Sequence, residues 1–99
     1  MAVVLSLHWA GVTPEQYDAV RDTVRWEDQV PAGLFLHVAW FEEGVLHVTD
    51  VWGAQADFER FFAERLATAV KSAGITGEPE TTFSPLHRRF VAPGVSGVA

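Results

Sequence analysis

Cysteine is absent from this sequence. That absence excludes disulfides, thiolate metal sites and cysteine nucleophiles. Basic residues are few, because seven Lys and Arg stand against thirteen Asp and Glu and give a formal net charge of −6. Without a basic stripe, the chain is not expected to bind nucleic acid or an anionic membrane. The apolar N-terminal run reaches only His8, which is too short for a secretion signal or a membrane span. We therefore expect a cytoplasmic protein.

Apolar residues are abundant for a chain of this length. Hydrophobic residues make up 48% of the 99 residues, and charged residues only 20%. A chain this short forms one domain and buries a smaller share of its surface than a larger protein does. Some of the apolar content is therefore expected to face a partner subunit or a ligand. We expect the domain to span residues 1–91, followed by a flexible tail over residues 92–99, which are rich in Gly and Val and show no periodicity.

A strand followed by a helix is predicted at the start of the chain. Ala2 to Trp9 form a short apolar run rich in β-branched and large side chains, which is typical of a strand. The sequence Thr13-Pro14-Glu15-Gln16 then has Thr at the N-cap, Pro at the first helical position and Gln at the third. This is a capping-box pattern, so a helix is expected to begin here and to end before Pro31.

A β-hairpin is predicted in the middle of the chain. Residues 33–42 and 45–53 flank Glu43-Gly44, a compact turn with Gly where a positive φ is favoured. A two-residue turn pairs Glu42 with Val45, and by extension His37 with Asp50, Phe35 with Trp52 and Trp40 with His47. A three-residue turn with a bulge would shift this register by one residue.

A second helix and a fourth strand complete the pattern. Apolar residues recur at helical spacing from Phe58 to Ala73, and Gly74 lies where a C-terminal cap belongs. Thr81 to Val91 are then expected to form a strand, and Pro85 within it indicates a sheet edge or a bulge.

The order strand, helix, strand, strand, helix, strand is that of a ferredoxin-like α+β fold. It predicts a four-stranded antiparallel sheet of order 4-1-3-2 with both helices on one face. Within it we expect strands one and three to be neighbours and parallel. Nothing in so short a chain covers the other face, so we expect a second copy to bury it and form a homodimer.

With these elements placed, the sequence resembles the dimeric α+β barrel superfamily, and in particular its small antibiotic-biosynthesis-monooxygenase-like proteins of actinomycete type. The resemblance spans roughly residues 1 to 90 and rests on five segments: residues 11–18, 36–39, 48–52, 58–66 and 85–87. It implies a dimeric barrel. It does not fix a reaction, because such relatives include cofactor-free oxygenases, cyclases, isomerases and haem-degrading enzymes. Two segments depart from the expected pattern, Trp40-Phe41-Glu42-Glu43 and Arg88-Arg89, so we do not expect a substrate shared with relatives.

The candidate site follows from the expected parity of the strands. We expect the cavity to lie between the helix-free sheet face and the partner subunit, lined by alternate residues of the first three strands. In that arrangement His8 and His37 converge with Asp50. The candidate catalytic residues are His37 and Asp50, and the candidate substrate-binding residues are His8, Phe35, Phe41, Trp52 and His87.

One chemistry for this group is proton abstraction without a cofactor. Asp50 would accept a hydrogen bond from His37 and fix its tautomer, so that the imidazole removes a proton from a phenol or a β-dicarbonyl compound. Trp52, Phe35 and Phe41 would stack on a flat ring, and the Trp52 N–H could bind a developing oxyanion. No motif for flavin, nicotinamide or nucleotide is found. The expected ligand is thus a small aromatic, polyketide-like or otherwise hydrophobic molecule, and the reaction is of monooxygenase, cyclase or isomerase type.

Two other hypotheses about the function stay open. In one, His8, His37, Asp50 and His87 bind a divalent metal, which imidazole and carboxylate ligands suit, although no local HxH or HxxxH pair supports it. In the other, the protein binds a ligand or responds to stress without catalysis. The pair formed by His37 and Asp50 would then be structural, because buried polar groups often serve only to satisfy each other.

Overall fold

Strands and helices follow one another in the order expected from the sequence. The computed structural model describes residues 1–99. Its strands are β1 (Val3–Ala10), β2 (Leu34–Glu42), β3 (Val45–Trp52) and β4 (Glu80–Pro85). Helix α1 spans Pro14–Val24, and the second helical segment consists of α2 (Gln55–Phe61), a π-helical turn (Phe62–Leu66) and α3 (Ala67–Ser72). The ferredoxin-like α+β fold is confirmed.

The four strands form one sheet of order β2-β3-β1-β4, as expected. All three pairings are antiparallel, so the expectation that β1 and β3 run parallel is wrong. The reason is topological. The crossover through α1 makes β2 parallel to β1, and the hairpin then reverses the chain, so β3 runs against both. Asp50 consequently pairs with Leu5, and His8 pairs with His47.

The hairpin between β2 and β3 has the two-residue turn. Glu43 and Gly44 have φ values of 51° and 76°, as a type I′ turn requires. Glu42 is paired with Val45, and the predicted pairing of His37 with Asp50 is confirmed. A bulge at the start of β2 changes the register, so Leu34 rather than Phe35 lies opposite Trp52.

Helix α1 begins with the predicted capping box. The Thr13 side chain accepts a hydrogen bond from the backbone N–H of Gln16, and the Gln16 side chain accepts one from that of Thr13. The helix ends at Val24, earlier than Pro31 suggested, because Arg25 takes the left-handed conformation with φ 61°. The residues that follow are wound into turns before β2 begins.

The second helical segment contains a π-helical turn that the apolar spacing did not reveal. Phe62–Leu66 is wound more widely than the helices on either side of it. Such turns occur frequently at functional sites. The segment closes at Gly74, whose φ of +80° confirms the predicted cap.

The hydrophobic core lies between the helices and one face of the sheet. That face presents Leu5, Leu7 and Trp9 from β1, and alternate residues of β3 from Leu46 to Trp52. The opposite face has no helix on it. It exposes Leu36, Val38 and Trp40 of β2, which are 37%, 46% and 40% exposed.

The chain beyond β4 is irregular. β4 is an edge strand and ends at Pro85, so the predicted continuation to Val91 is wrong. Residues 86–99 form no helix or strand. No helix in the structure has the length and apolar character needed to cross a membrane.

Candidate functional site

The predicted catalytic pair lies on the helix-covered face of the sheet. Asp50 and Trp52 are buried there beside Leu5 and Val48, and His37 lies directly across from Asp50 on β2. The expectation that these residues line the helix-free face is therefore wrong. Strand parity grouped the residues of β3 correctly and those of β2 except the bulged Phe35, but it wrongly placed His8 of β1 with them and assigned the group to the wrong face. The candidate site thus lies within one chain.

A cavity of about 80 Å³ opens between the sheet and the helices at this point. His37 and Asp50 are the only lining residues that carry an imidazole or a carboxyl group; the others are aliphatic or aromatic. The lining comes from every layer of the fold: Leu7, Trp9, Val12, Tyr17, Val20, Trp26, Leu34, Leu46, Val48, Trp52, Phe58, Phe61, Leu66, Val70 and Ile75. An apolar pocket with a small number of converging polar groups is typical of a small-molecule site.

Four side chains form a continuous hydrogen-bonded chain along one wall of the cavity. His37 Nδ1 lies 2.7 Å from Asp50 Oδ1. The indole N–H of Trp52 donates to the other carboxylate oxygen, Asp50 Oδ2, over 3.0 Å. On the far side of the imidazole, His37 Nε2 lies 2.7 Å from the hydroxyl of Tyr17. Asp50 is 5% exposed, so this carboxylate depends on these partners rather than on water.

The arrangement fixes the tautomer of a neutral His37. An ionised Asp50 can only accept hydrogen bonds, so Nδ1 of His37 carries the proton and donates it. Nε2 is then unprotonated and accepts the hydrogen bond from Tyr17. The chain therefore runs from the phenol to the imidazole to the carboxylate, and the phenolic oxygen is its outer end.

Tyr17 is held as a neutral phenol. Burial raises its pKa from 10.0 to about 12, and the negative charge of Glu27 adds to this effect. Desolvation disfavours the phenolate because an anion loses more hydration than a neutral hydroxyl does. Tyr17 therefore keeps its proton at neutral pH and does not release it to bulk water.

Trp26 lies beside this chain and has an unsatisfied donor. Its ring packs edge-on against Tyr17 at 5.6 Å and against His37 at 5.4 Å between centroids. Its indole N–H is buried, and no protein group accepts a hydrogen bond from it. A buried donor without a partner costs about 1–3 kcal/mol. The expected oxyanion donor, Trp52, does not fill this role because its N–H already binds Asp50.

The other predicted site residues are not brought into the cavity. His8 is exposed on the helix-free face, where its ring meets that of His47 at 4.7 Å. Phe35 is the bulged residue of β2, 48% exposed, with the guanidinium of Arg89 over its ring at 5.1 Å. Phe41 lies on the helix-covered face and packs against the core and Tyr17, outside the cavity lining. His87 is exposed beyond β4.

The alternative metal ligands are not assembled. His37 and Asp50 are adjacent, but His8 lies on the opposite face of the sheet and His87 after its edge strand. No group of three or more His, Cys, Asp or Glu side chains in the chain could hold a metal ion. The antiparallel course of β1 and β3 explains the separation of His8, because it moves that residue to the opposite end of β3 from Asp50.

Tyr17 and Trp26 are the functional candidates that the sequence did not single out. Tyr17 belongs to the apolar stripe of α1, where a phenol cannot be distinguished from a core aromatic residue. Trp26 follows a left-handed residue in an irregular segment, so no periodicity places it. The one usable signal is that Tyr17 is the only tyrosine in the chain and lies on the buried side of its helix.

Comparison with known proteins gives similarity at the level of fold. No family model and no curated protein matches the chain. Among solved structures, a protein of unknown function from Nitrosomonas europaea has a TM-score of 0.67 at 15% identity, covering 94% of this chain and 96% of its own. A mutant of SnoaB, a cofactor-independent oxygenase from Streptomyces nogalater, has a TM-score of 0.61 at 12% identity, covering 89% and 94%.

The monooxygenase ActVA-Orf6 of Streptomyces coelicolor, in complex with nanaomycin D, has a TM-score of 0.60 at 17% identity, and each chain is covered to 92%. Identities this low indicate a shared fold and not a shared reaction. The resemblance to antibiotic-biosynthesis-monooxygenase-like proteins is thus confirmed as a resemblance of fold. Proteins of this fold include small-molecule enzymes.

Proposed function

We propose that this protein is a cofactor-free enzyme that removes a proton from a small aromatic or polyketide-like substrate held in the cavity between sheet and helices. The observation that carries the proposal is the hydrogen-bonded chain of Tyr17, His37 and Asp50 at the one polar position of an apolar cavity. A general base works best when a partner fixes its orientation and its tautomer, and Asp50 supplies both.

The proposed step moves two protons in the same direction. The substrate C–H or O–H proton passes to the hydroxyl oxygen of Tyr17, while the phenolic proton of Tyr17 passes to Nε2 of His37. The substrate becomes an enolate or phenolate, and His37 becomes an imidazolium whose positive charge faces Asp50 across 2.7 Å. Tyr17 remains neutral throughout, which agrees with its pKa of about 12. Such positioned proton transfer contributes typically about 10²–10⁴-fold in rate.

The apolar walls support the reaction by excluding water. Charge that forms in a water-poor site interacts more strongly with fixed dipoles than it would in water. Asp50 is held by Trp52 as well as by His37, so it need not move as the imidazole gains its proton. The resulting anion could then be reprotonated, close a ring or react with O₂, which correspond to isomerase, cyclase and monooxygenase outcomes. The cofactor-independent oxygenase of the same fold supports the last of these.

The size of the cavity favours a compact substrate. Its volume of about 80 Å³ is smaller than that of small-molecule clefts, which span roughly 300–1,000 Å³. It is also smaller than an engineered cavity of about 150 Å³ that binds benzene. Even a single aromatic ring with one polar group therefore requires the cavity walls to move outward, so a molecule of that size is the one to test first. Several fused rings require a larger movement.

The same proposal includes a homodimer through the helix-free face. The apolar surface of the helix-free face was expected to come from Phe35, Phe41 and Trp52. The exposed residues of β2 supply it instead: Leu36, Val38 and Trp40. Contiguous exposed apolar side chains on an open sheet are typical of a surface that contacts another protein. A second copy would cover them without blocking the cavity, which lies on the other side of the sheet.

The test is deuterium exchange of acidic C–H groups. Acetophenone and phenylacetone are incubated with the protein in D₂O, and incorporation at the carbon next to the carbonyl is followed by NMR. We expect exchange above the buffer rate, and a loss of about 10²–10⁴-fold in His37→Gln and Asp50→Asn. His8→Gln and His47→Gln are matched controls, because both remove an imidazole that lies outside the cavity.

Two results would contradict the proposal. Equal exchange in His37→Gln and the unmodified protein would remove His37 as the base. Binding of both ketones without any exchange would favour a ligand-binding protein that does no chemistry. Tyr17→Phe separates the relay from direct abstraction by His37, since exchange that persists in this variant shows that the imidazole acts without the phenol.

A further inference from the structure

We infer that Trp26 is the residue that selects the ligand, and that the cavity takes an apolar molecule bearing a carbonyl or phenolate oxygen that accepts the Trp26 indole N–H. This inference rests on the proposed function only in placing the ligand in the same cavity. It adds a chemical requirement on the ligand that the proton relay does not set.

The first observation is the difference among the indole donors of the cavity. Three tryptophans line it. The N–H of Trp9 donates to the carbonyl of Thr76 and that of Trp52 to Asp50. Trp26 is 9% exposed, and its N–H is the one buried side-chain polar atom of the chain without a partner. Buried donors in native proteins are nearly always satisfied, so an exception in a cavity wall points to a ligand acceptor.

The second observation is that the segment holding Trp26 is fixed in place. The guanidinium of Arg65 donates to the backbone carbonyls of Val24 and Gln29, at 3.0 and 2.7 Å. These two carbonyls bracket Trp26 in the chain. Arg65 itself belongs to the π-helical turn, and its neighbour Leu66 lines the cavity. The π turn and the Trp26 segment are thereby tied together, which restricts movement of the backbone that carries the indole ring before a ligand arrives.

The third observation is the position of Trp26 relative to the proton relay. Its ring touches both Tyr17 and His37. A ligand oxygen bound to the Trp26 N–H would therefore lie in the part of the cavity that Tyr17 and His37 also line. The developing negative charge on that oxygen would strengthen its hydrogen bond to Trp26, because bonds to a charged acceptor are stronger than those to a neutral one.

The experiment compares acetophenone with ethylbenzene, which has a methylene group in place of the carbonyl. We expect acetophenone to bind about two- to tenfold more tightly, as one net hydrogen bond provides. In NMR spectra the indole N–H signal of Trp26, identified by its absence in Trp26→Phe, should shift with acetophenone and not with ethylbenzene. In Trp26→Phe the two ligands should bind equally.

Trp9→Phe is the matched control, because it removes an indole of the same cavity whose N–H already has a protein acceptor. The preference for acetophenone should survive in it. Equal affinities in the unmodified protein, a preference that persists in Trp26→Phe, or binding of neither compound would each overturn the inference. Deuterium exchange read in the same samples separates the two proposals. If the protein prefers the ketone but catalyses no exchange, the role of Trp26 in ligand selection stands and the proton relay is refuted. If it catalyses exchange without preferring the ketone, the relay stands and the role of Trp26 is refuted.

Discussion

The two faces of the sheet are built from the same strands and differ in how much apolar surface they expose, although Val51 on the helix-free face is also buried. On the helix-covered face, the alternate apolar side chains of β1 and β3 are exposed to 7% or less: Leu5, Leu7, Trp9, Leu46, Val48 and Trp52. On the helix-free face, Val38 and Trp40 keep nearly half of their surface open. Because side chains alternate along a strand, one residue of shift in register separates a core position from an exposed one.

The contrast extends to the histidines. His37 on the covered face has a carboxylate on one nitrogen and a phenol on the other. His47 lies on the helix-free face, where its ring stacks on Trp40 and also contacts the ring of His8. An imidazole becomes an effective base when a carboxylate fixes its tautomer and stabilises its protonated form. The same residue type therefore forms two side-chain hydrogen bonds on one face and packs against aromatic rings on the other.

The largest effect is expected from truncating a tryptophan on each face. Trp52 is 1% exposed, so Trp52→Ala should lower the free energy of unfolding by about 3–5 kcal/mol. Trp40 is 40% exposed, so Trp40→Ala should cost far less in the monomer. Urea denaturation of both variants, at concentrations low enough that the chain is monomeric, measures the difference. Similar losses for the two would mean that the open face is as well packed as the covered one, in conflict with the comparison.

A charge placed on the open face should act on association rather than on folding. We expect the unmodified protein to sediment as a dimer at micromolar concentration and Val38→Lys to sediment as a monomer, because a lysine cannot be buried there without a partner. Thr68→Lys, on the exposed side of α3, is the control with the same change in charge. If the unmodified protein sediments as a monomer, the proposed homodimer through the helix-free face is refuted.

Much of the fold follows from local signals. The capping box of Thr13 and Gln16, the turn at Glu43-Gly44 and the glycine cap at Gly74 each depend on a few neighbouring residues, and all three are confirmed. The π-helical turn and the bulge at Phe35 did not follow. Both are adjustments to packing between distant segments, for which a single sequence has no local marker.

The candidate site was predictable only in part. The pairing of His37 with Asp50 follows from the turn alone. The face on which the pair lies does not, because strand alternation separates two sets of residues without saying which set the helices cover. Tyr17 and Trp26 join the site through α1 and the segment after it, which reach the sheet only in the folded chain.

The smallest effect concerns the ionisation of Tyr17, and it tests whether the covered face is as poorly solvated as the comparison implies. Tyr17 is the only tyrosine, so the ultraviolet absorbance of tyrosinate reports on this residue alone. Its pKa should be about 12 rather than the ordinary tyrosine value of 10.0. The unfolded chain loses this proton near 10.0 and the folded chain only near 12, so the folded state binds more protons between these values. The contribution of Tyr17 to stability is therefore complete below about pH 10 and falls as the pH rises toward 12.

Glu27→Gln should lower the pKa of Tyr17 only in part, because burial is the larger cause and the charge of Glu27 the second. Titration near 10 in the unmodified protein would place the phenol in contact with bulk water, and the relay would then lose the neutral, desolvated hydroxyl on which it depends.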